Sequence, residues 1–174
     1  MRNWMVLALS WVALLVVPST HADSPKLGVA VSDADVAAMD ISVDPTGRTL
    51  PPGSGDVETG MAVYAAKCAN CHGVAAAGGK GLADPLVGGM GSLGKGAPKK
   101  TVGSFWPYAT TLFDYVRRAM PLDKPMSLTN DEVYAVSAYI LSLNGIVPKD
   151  ATLDAKTLPA VKMPNRDGFV SQWK

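Results

Sequence analysis

The chain has 174 residues with 16 basic and 15 acidic side chains, so it is long enough for one domain with extensions and too evenly charged for a nucleic-acid footprint. No nucleic-acid partner is expected. It carries only two cysteines and two histidines, and their placement decides most of the chemistry that follows.

The first expected element is a leader. Arg2 is the single positive charge of an n-region, Trp4 to Val17 is apolar apart from Ser10, and Pro18-Ser19-Thr20-His21-Ala22 follows. Thr20 and Ala22 have the small side chains wanted at the −3 and −1 positions, so residues 1–22 are expected to be a signal peptide cleaved before Asp23. The apolar run is shorter than the roughly 20 residues of a spanning helix and stops at a proline, so no membrane span is expected after cleavage. The expected location is the periplasm. Cleavage removes Arg2 and His21, leaving equal numbers of acidic and basic side chains and one histidine.

Residues 23–55 read as an N-terminal arm. Ser32-Asp33-Ala34-Asp35 has a capping-box pattern that opens a short helix through Met39. Ile41-Ser42-Val43 is expected as a brief extended piece, Asp44-Pro45-Thr46-Gly47 as a turn, and Pro51-Pro52-Gly53-Ser54-Gly55 as a boundary. A helix then starts near Asp56. Val57, Gly60, Met61, Tyr64, Ala65 and Cys68 recur at helical spacing and are expected on one buried face, with Met61 in the core.

Cys68-Ala69-Asn70-Cys71-His72 contains every residue needed to attach a c-type heme. Two cysteines three positions apart can each form a thioether with a heme vinyl group, and the histidine that follows falls under the iron as an axial ligand. A redox dithiol would need a βαβ context, which the chain lacks. A zinc site takes four ligands as a rule, and this motif offers three.

Residues 73–103 are glycine-rich without sustained periodicity and read as loop. Within them Gly89-Met90-Gly91-Ser92-Leu93-Gly94 fits a dinucleotide fingerprint, but no strand precedes it. Lys80, Lys95, Lys99 and Lys100 make this stretch basic, either as a solvated surface or as a patch that steers an acidic partner. A second helix is expected from Pro107 to Met120, with Leu112, Tyr115, Val116 and Ala119 inward and Asp114 and Arg118 as an exposed pair. Thr129-Asn130-Asp131-Glu132 caps a third, with Val133, Val136, Tyr139, Ile140 and Leu143 inward and Gly145 and Pro148 at its end. Residues 148–174 read as a C-terminal surface tail with anchors at Leu158, Val161, Met163, Phe169 and Trp173. Of the methionines left for a sixth iron ligand, Met120 and Met126 are the candidates by position.

Gly60-x3-Tyr64-x3-Cys68-x2-Cys71-His72, Pro85-Leu86-x-Gly88, Met120-Pro121 and Leu128-x3-Glu132-x6-Tyr139 together resemble class I cytochromes c over residues 56–145. The resemblance implies an all-α, class I cytochrome c fold around one covalently attached heme c, with irregular N- and C-terminal extensions about a domain spanning 56–147. It implies first and last helices crossing at Gly60, Tyr64 and Tyr139. It further implies a Pro85 carbonyl that accepts from the His72 imidazole, and Met120 rather than Met126 as the distal ligand.

A narrower set of residues is similar to the monoheme cytochromes of bacterial sulfur oxidation: Met39-Asp40-Ile41-Ser42-Val43-x-Pro45-x-Gly47, Thr101 through Tyr115, and Met163-Pro164-Asn165. That family includes the cytochrome subunit of sulfane dehydrogenase and the cytochrome acceptors of sulfite dehydrogenases. The likeness implies an electron carrier rather than an enzyme, with heme-binding residues Cys68, Cys71, His72 and Met120 and iron ligands His72 and Met120. Its expected donor is a molybdenum sulfite or sulfane dehydrogenase, and its expected acceptor a small cytochrome or terminal oxidase. The alternatives are an obligate subunit of a dehydrogenase complex and a peroxidase-type enzyme, the latter disfavoured by the lack of a distal histidine.

Overall fold

A computed structural model describes residues 27–79 and 83–173, so the expected signal peptide and Lys80 lie outside the described residues. Helices α1 (Asp33–Met39), α2 (Val57–Lys67), α3 (Ala69–His72), α4 (Val102–Phe105), α5 (Ala109–Ala119) and α6 (Asn130–Leu143) are joined by one antiparallel pair of strands, β1 (Ser54–Asp56) and β2 (Thr152–Asp154). Among the described residues no helix is long and apolar enough to cross a membrane.

The core is organised around α6. Its start is fixed by the expected capping box: the Thr129 hydroxyl accepts the Glu132 N–H at 3.2 Å and the Glu132 carboxylate accepts the Thr129 N–H at 3.0 Å. Val133 through Ala138, Ile140 and Leu141 are all buried, so this helix is enclosed on nearly every side. Against it lies α2, whose first turn is capped by Asp56 Oδ1 accepting from the Thr59 N–H at 2.7 Å. The two helices meet at Gly60, where a Cβ would stand 1.9 Å from the Ala135 carbonyl oxygen and 2.9 Å from the Tyr139 Cβ. One helical turn on, the Tyr64 and Tyr139 rings tilt together at 5.3 Å. Lys67 closes the far end, its ammonium 2.6 Å from the Glu132 carboxylate; that hydrogen bond, with the Thr129 N–H, holds Glu132 below its ordinary value.

The buried face of α2 is narrower than its periodicity implies. Val57, Gly60 and Tyr64 are buried, but Met61 is 51% exposed and Ala65 faces solvent, because α6 approaches so closely at Gly60 that only one stripe of α2 is covered. Met61 is therefore not core. On the other side of α6, Phe113 of α5 tilts over Tyr134 at a centroid distance of 4.5 Å. Helix α5 starts at Ala109 rather than Pro107, since Trp106 before the proline takes extended angles and ends a helix the sequence did not announce. That helix, α4, has a capping box in which Thr101 and Ser104 exchange bonds, with Ser in place of the Glu or Gln that marks the motif in sequence.

The extensions are more integrated than expected. The α1 helix forms as anticipated, Ser32 Oγ accepting the Asp35 N–H at 3.2 Å, and buries none of its residues. Ile41–Val43 makes no strand; the strand begins instead within the Pro-Gly stretch at Ser54, where Gly55 faces Leu153 across the ladder. Gly55 lies so close to α6 that a Cβ would meet the Ala135 nitrogen at 2.3 Å. The C-terminal segment is not simply a surface tail: Leu153, Leu158 and Met163 are buried in the core, while Phe169 and Trp173 stay exposed. Of the expected anchors, Leu158 and Met163 go inward and Phe169 and Trp173 do not, while Leu153 was not among those expected.

Because Gly60 has no space for a methyl group, Gly60→Ala is expected to lower stability by about 1–3 kcal/mol through forced separation of α2 and α6. Gly96→Ala, where a Cβ meets nothing within 4 Å, should stay within about 0.5 kcal/mol of the parent. Urea denaturation of the two variants checks the difference.

Candidate functional site

Helix α2 ends at Cys68, whose N–H still bonds the Tyr64 carbonyl at 2.9 Å while its backbone turns out of helical angles. The short α3 follows, with the Cys71 and His72 N–H groups both returning to the Cys68 carbonyl, at 3.2 and 3.0 Å. One turn of chain therefore carries both thiols and the imidazole. The exit is fixed by the Tyr64 hydroxyl, which donates to the Gly73 carbonyl at 2.9 Å. Gly73 takes φ 74°, and a Cβ there would lie 2.2 Å from the Gly78 carbonyl oxygen, so only glycine allows the chain to fold back after His72.

Tyr64, Cys68, Cys71 and His72 line a cavity of about 180 Å³ together with Leu112, Val116 and Met120 from the α5 region and Val136 and Ile140 from α6. Met120 caps the C-terminus of α5 in an extended conformation, its N–H bonded to the Val116 carbonyl at 3.1 Å. Met126 does not line the cavity; it is 66% exposed with φ 59°. Met39, Met61 and Met90 are also largely exposed, and Met163 is buried but not at the cavity. The four expected site residues, Cys68, Cys71, His72 and Met120, thus share one apolar enclosure.

Burial pushes the free Cys68 thiol up to about 11, the opposite of what a reactive redox dithiol requires. Cys71 is exposed. His72 Nδ1 is buried with no hydrogen-bond partner, so the bond expected from the imidazole to the Pro85 carbonyl is not formed. The loop after the motif is closed instead by backbone bonds from Gly78 N–H to the His72 carbonyl at 2.9 Å and from Leu86 N–H to the Ala76 carbonyl at 2.9 Å. Two thiols one turn apart, an imidazole with an unspent nitrogen and a thioether, all bordering the same apolar space, fit a covalently attached heme.

Two aromatic residues and a residue of α4 add to the lining. Trp106 and Tyr115 meet edge-to-face at 5.7 Å on the cavity, and Tyr115, expected inward, is 46% exposed because it stands at the border with solvent. Val102 enters from the unannounced α4; the Thr101-Val102-Gly103-Ser104 box was the only available signal. Arg117 and Arg118 do not line the cavity. The Gly89–Gly94 stretch forms turns, and Gly89 is required by the chain itself, since a Cβ would lie 2.2 Å from the Lys99 carbonyl oxygen.

The cytochrome c family model matches residues 57–144, the span from the first residue of α2 to Asn144, which caps α6. The chain belongs to the cytochrome c family. Among solved structures, a chain of the sulfane dehydrogenase SoxCD from Paracoccus pantotrophus is similar at 41% identity and a TM-score of 0.79, covering 86% of this chain and 73% of that chain. This cytochrome is a class I c-type cytochrome of the sulfur-oxidation kind: mostly helical with a small two-stranded sheet, carrying one covalently bound heme c with iron, and built for electron transfer.

The purified cytochrome should keep its pigment in a denaturing gel and give the pyridine hemochrome spectrum of a c-type heme. A colourless polypeptide band, after expression with heme-attachment machinery, would contradict covalent attachment.

Proposed function

We propose that Cys68 and Cys71 hold the heme by thioether bonds, that His72 and Met120 are its axial ligands, and that the cytochrome takes single electrons from a molybdenum sulfite or sulfane dehydrogenase in the periplasm. It passes them to a small cytochrome or a terminal oxidase. The observation that carries the ligand reading is the shared cavity of these four side chains, from which Met126 is absent. The partner reading is supported by the likeness to a sulfane dehydrogenase chain, which covers 86% of this chain and so includes much of the extensions.

Bound heme supplies one-electron chemistry at its iron. The chain's own part is to anchor, orient and seal. Leu112, Val116, Val136 and Ile140 line the cavity with apolar surface, and ligation by His72 and Met120 would favour a raised potential. Lys95, Lys99 and Lys100 are exposed, with the Lys100 ammonium 4.9 Å from the Phe105 ring centre, and form the described part of a basic surface suited to an acidic partner. Sulfite and sulfane oxidation release electrons in pairs while one heme accepts them singly, so the oxygen-atom chemistry belongs to a separate centre.

A second reading, a permanent subunit of such a dehydrogenase, is favoured by the apolar side chains that the extensions leave exposed: Val36 and Met39 on α1, and Phe169, Val170 and Trp173 near the C-terminus. Size-exclusion chromatography of the chain alone separates the two, a discrete monomer supporting the free carrier and self-association the orphaned subunit.

Met120→Ala is expected to abolish the iron–methionine charge-transfer absorption of the oxidised protein and to lower the reduction potential, whereas Met126→Ala should retain both. The reverse result would move the ligand to Met126. Reduction should be fast with a sulfite-oxidising molybdenum enzyme and slow with sulfite alone, and the bimolecular rate should fall as ionic strength rises. Charge reversal at Lys99 and Lys100 should lower the association rate more than the maximal rate. A salt-independent rate would remove the steering role, and no transfer from the enzyme would remove the partner.

A further inference from the structure

Helix α5 is held from opposite sides. Leu112, Tyr115 and Val116 line the cavity, and Met120 follows directly on its last residue. Thr110, Asp114 and Arg117 form a different stripe. At 100° per residue, Thr110 and Leu112, like Asp114 and Val116, point about 200° apart, so this stripe faces away from the cavity.

All three residues of that rear stripe reach one short piece of the N-terminal arm. The Thr110 hydroxyl donates to the Pro45 carbonyl at 3.2 Å, Asp114 Oδ1 accepts the Val43 N–H at 2.8 Å, and the Arg117 guanidinium donates to the Ile41 carbonyl at 3.1 Å. Arg118 Nε holds the Asp114 carboxylate in place at 3.0 Å, and Val43 is only 8% exposed. This is why Ile41–Pro45 holds its place without being a strand: three of its backbone groups bond to side chains of one helix, while the N–H and carbonyl of Ser42 bond to Asp40 and Thr49. The entrance to α5 is pinned from the other extension. Asn165 donates to the Phe105 carbonyl at 2.6 Å, and the Arg166 guanidinium lies 4.5 Å above the Tyr108 ring.

We propose that Ile41–Pro45 is a strap that holds α5 against the cavity and thereby positions Met120, making Asp114 and Arg117 positioning residues for the sixth iron ligand although neither touches the cavity. The inference rests on Met120 being that ligand. With the strap in place α5 has no room to move rearward, and Met120 leaves the iron rarely. With a strap bond cut, the displaced state is more populated, and an external ligand that needs the sixth position binds more tightly in proportion to that population.

Imidazole is the probe, titrated into the oxidised holoprotein while the iron–methionine charge-transfer absorption is followed. Asp114→Ala and Arg117→Ala are each expected to tighten imidazole binding about tenfold, equivalent to about 1.4 kcal/mol. Asp114→Asn, which keeps an oxygen for the Val43 N–H, should stay nearer the parent. Leu153→Ala, which empties a buried site in β2 and cuts none of the strap's hydrogen bonds, should lower Tm while leaving imidazole affinity unchanged. The strap is overturned if neither alanine variant tightens imidazole binding, or if Leu153→Ala tightens it equally. A parent protein lacking the charge-transfer band would overturn the Met120 assignment, and the strap with it, before any variant is compared.

Discussion

At Gly60 the backbone of α2 lies directly on the Ala135 carbonyl, closer than any side chain would permit. That approach sets where α2 can end, and Cys68 is the residue at which it ends. The thiols and imidazole follow within one turn, so their position relative to α6 is inherited from a helix crossing two turns upstream. Tyr64 carries the constraint forward, with its ring against Tyr139 and its hydroxyl on the Gly73 carbonyl. Burial pushes that hydroxyl up to about 12, so it remains a neutral donor at any ordinary pH.

The two sides of the cavity are built on different physical terms. The side carrying His72 is fixed by backbone: a helix junction, a left-handed glycine and a sequence of main-chain bonds back to the motif. The side carrying Met120 is fixed by side chains, through Phe113 on Tyr134 in front and the arm's contacts with Thr110, Asp114 and Arg117 behind. Main-chain geometry tolerates substitution of most residues that adopt it. Side-chain geometry is sensitive to single changes, which places the adjustable part of the site on the methionine side.

The site was largely legible in the sequence because heme attachment concentrates its chemistry in five consecutive residues, and because Thr129 and Glu132 announce α6 by their own bonding pattern. Position alone left Met120 and Met126 both open, and it is Met120 that lies at the cavity. What escaped notice was set by contacts distant in the chain. Exposure of Met61 depends on how closely α6 approaches Gly60, and α4 depends on a serine filling a role sequence patterns reserve for Glu or Gln. The missing bond from His72 Nδ1 to Pro85 likewise turns on loop geometry that the spacing of those residues does not specify. Burial of Leu153 follows from pairing between two strands distant in the chain, which no local window contains.

That pairing has a topological result. The strand before α2 and the strand after α6 are neighbours, Ser54 opposite Asp154 and Asp56 opposite Thr152. The heme-bearing stretch therefore begins and ends at one strand pair, clasped like a loop of string at its base. Sequence added before or after the clasp need not cross the cavity. Such a layout suits a redox unit that is joined to other modules, since chain can be lengthened at either end without rethreading the part that holds the iron.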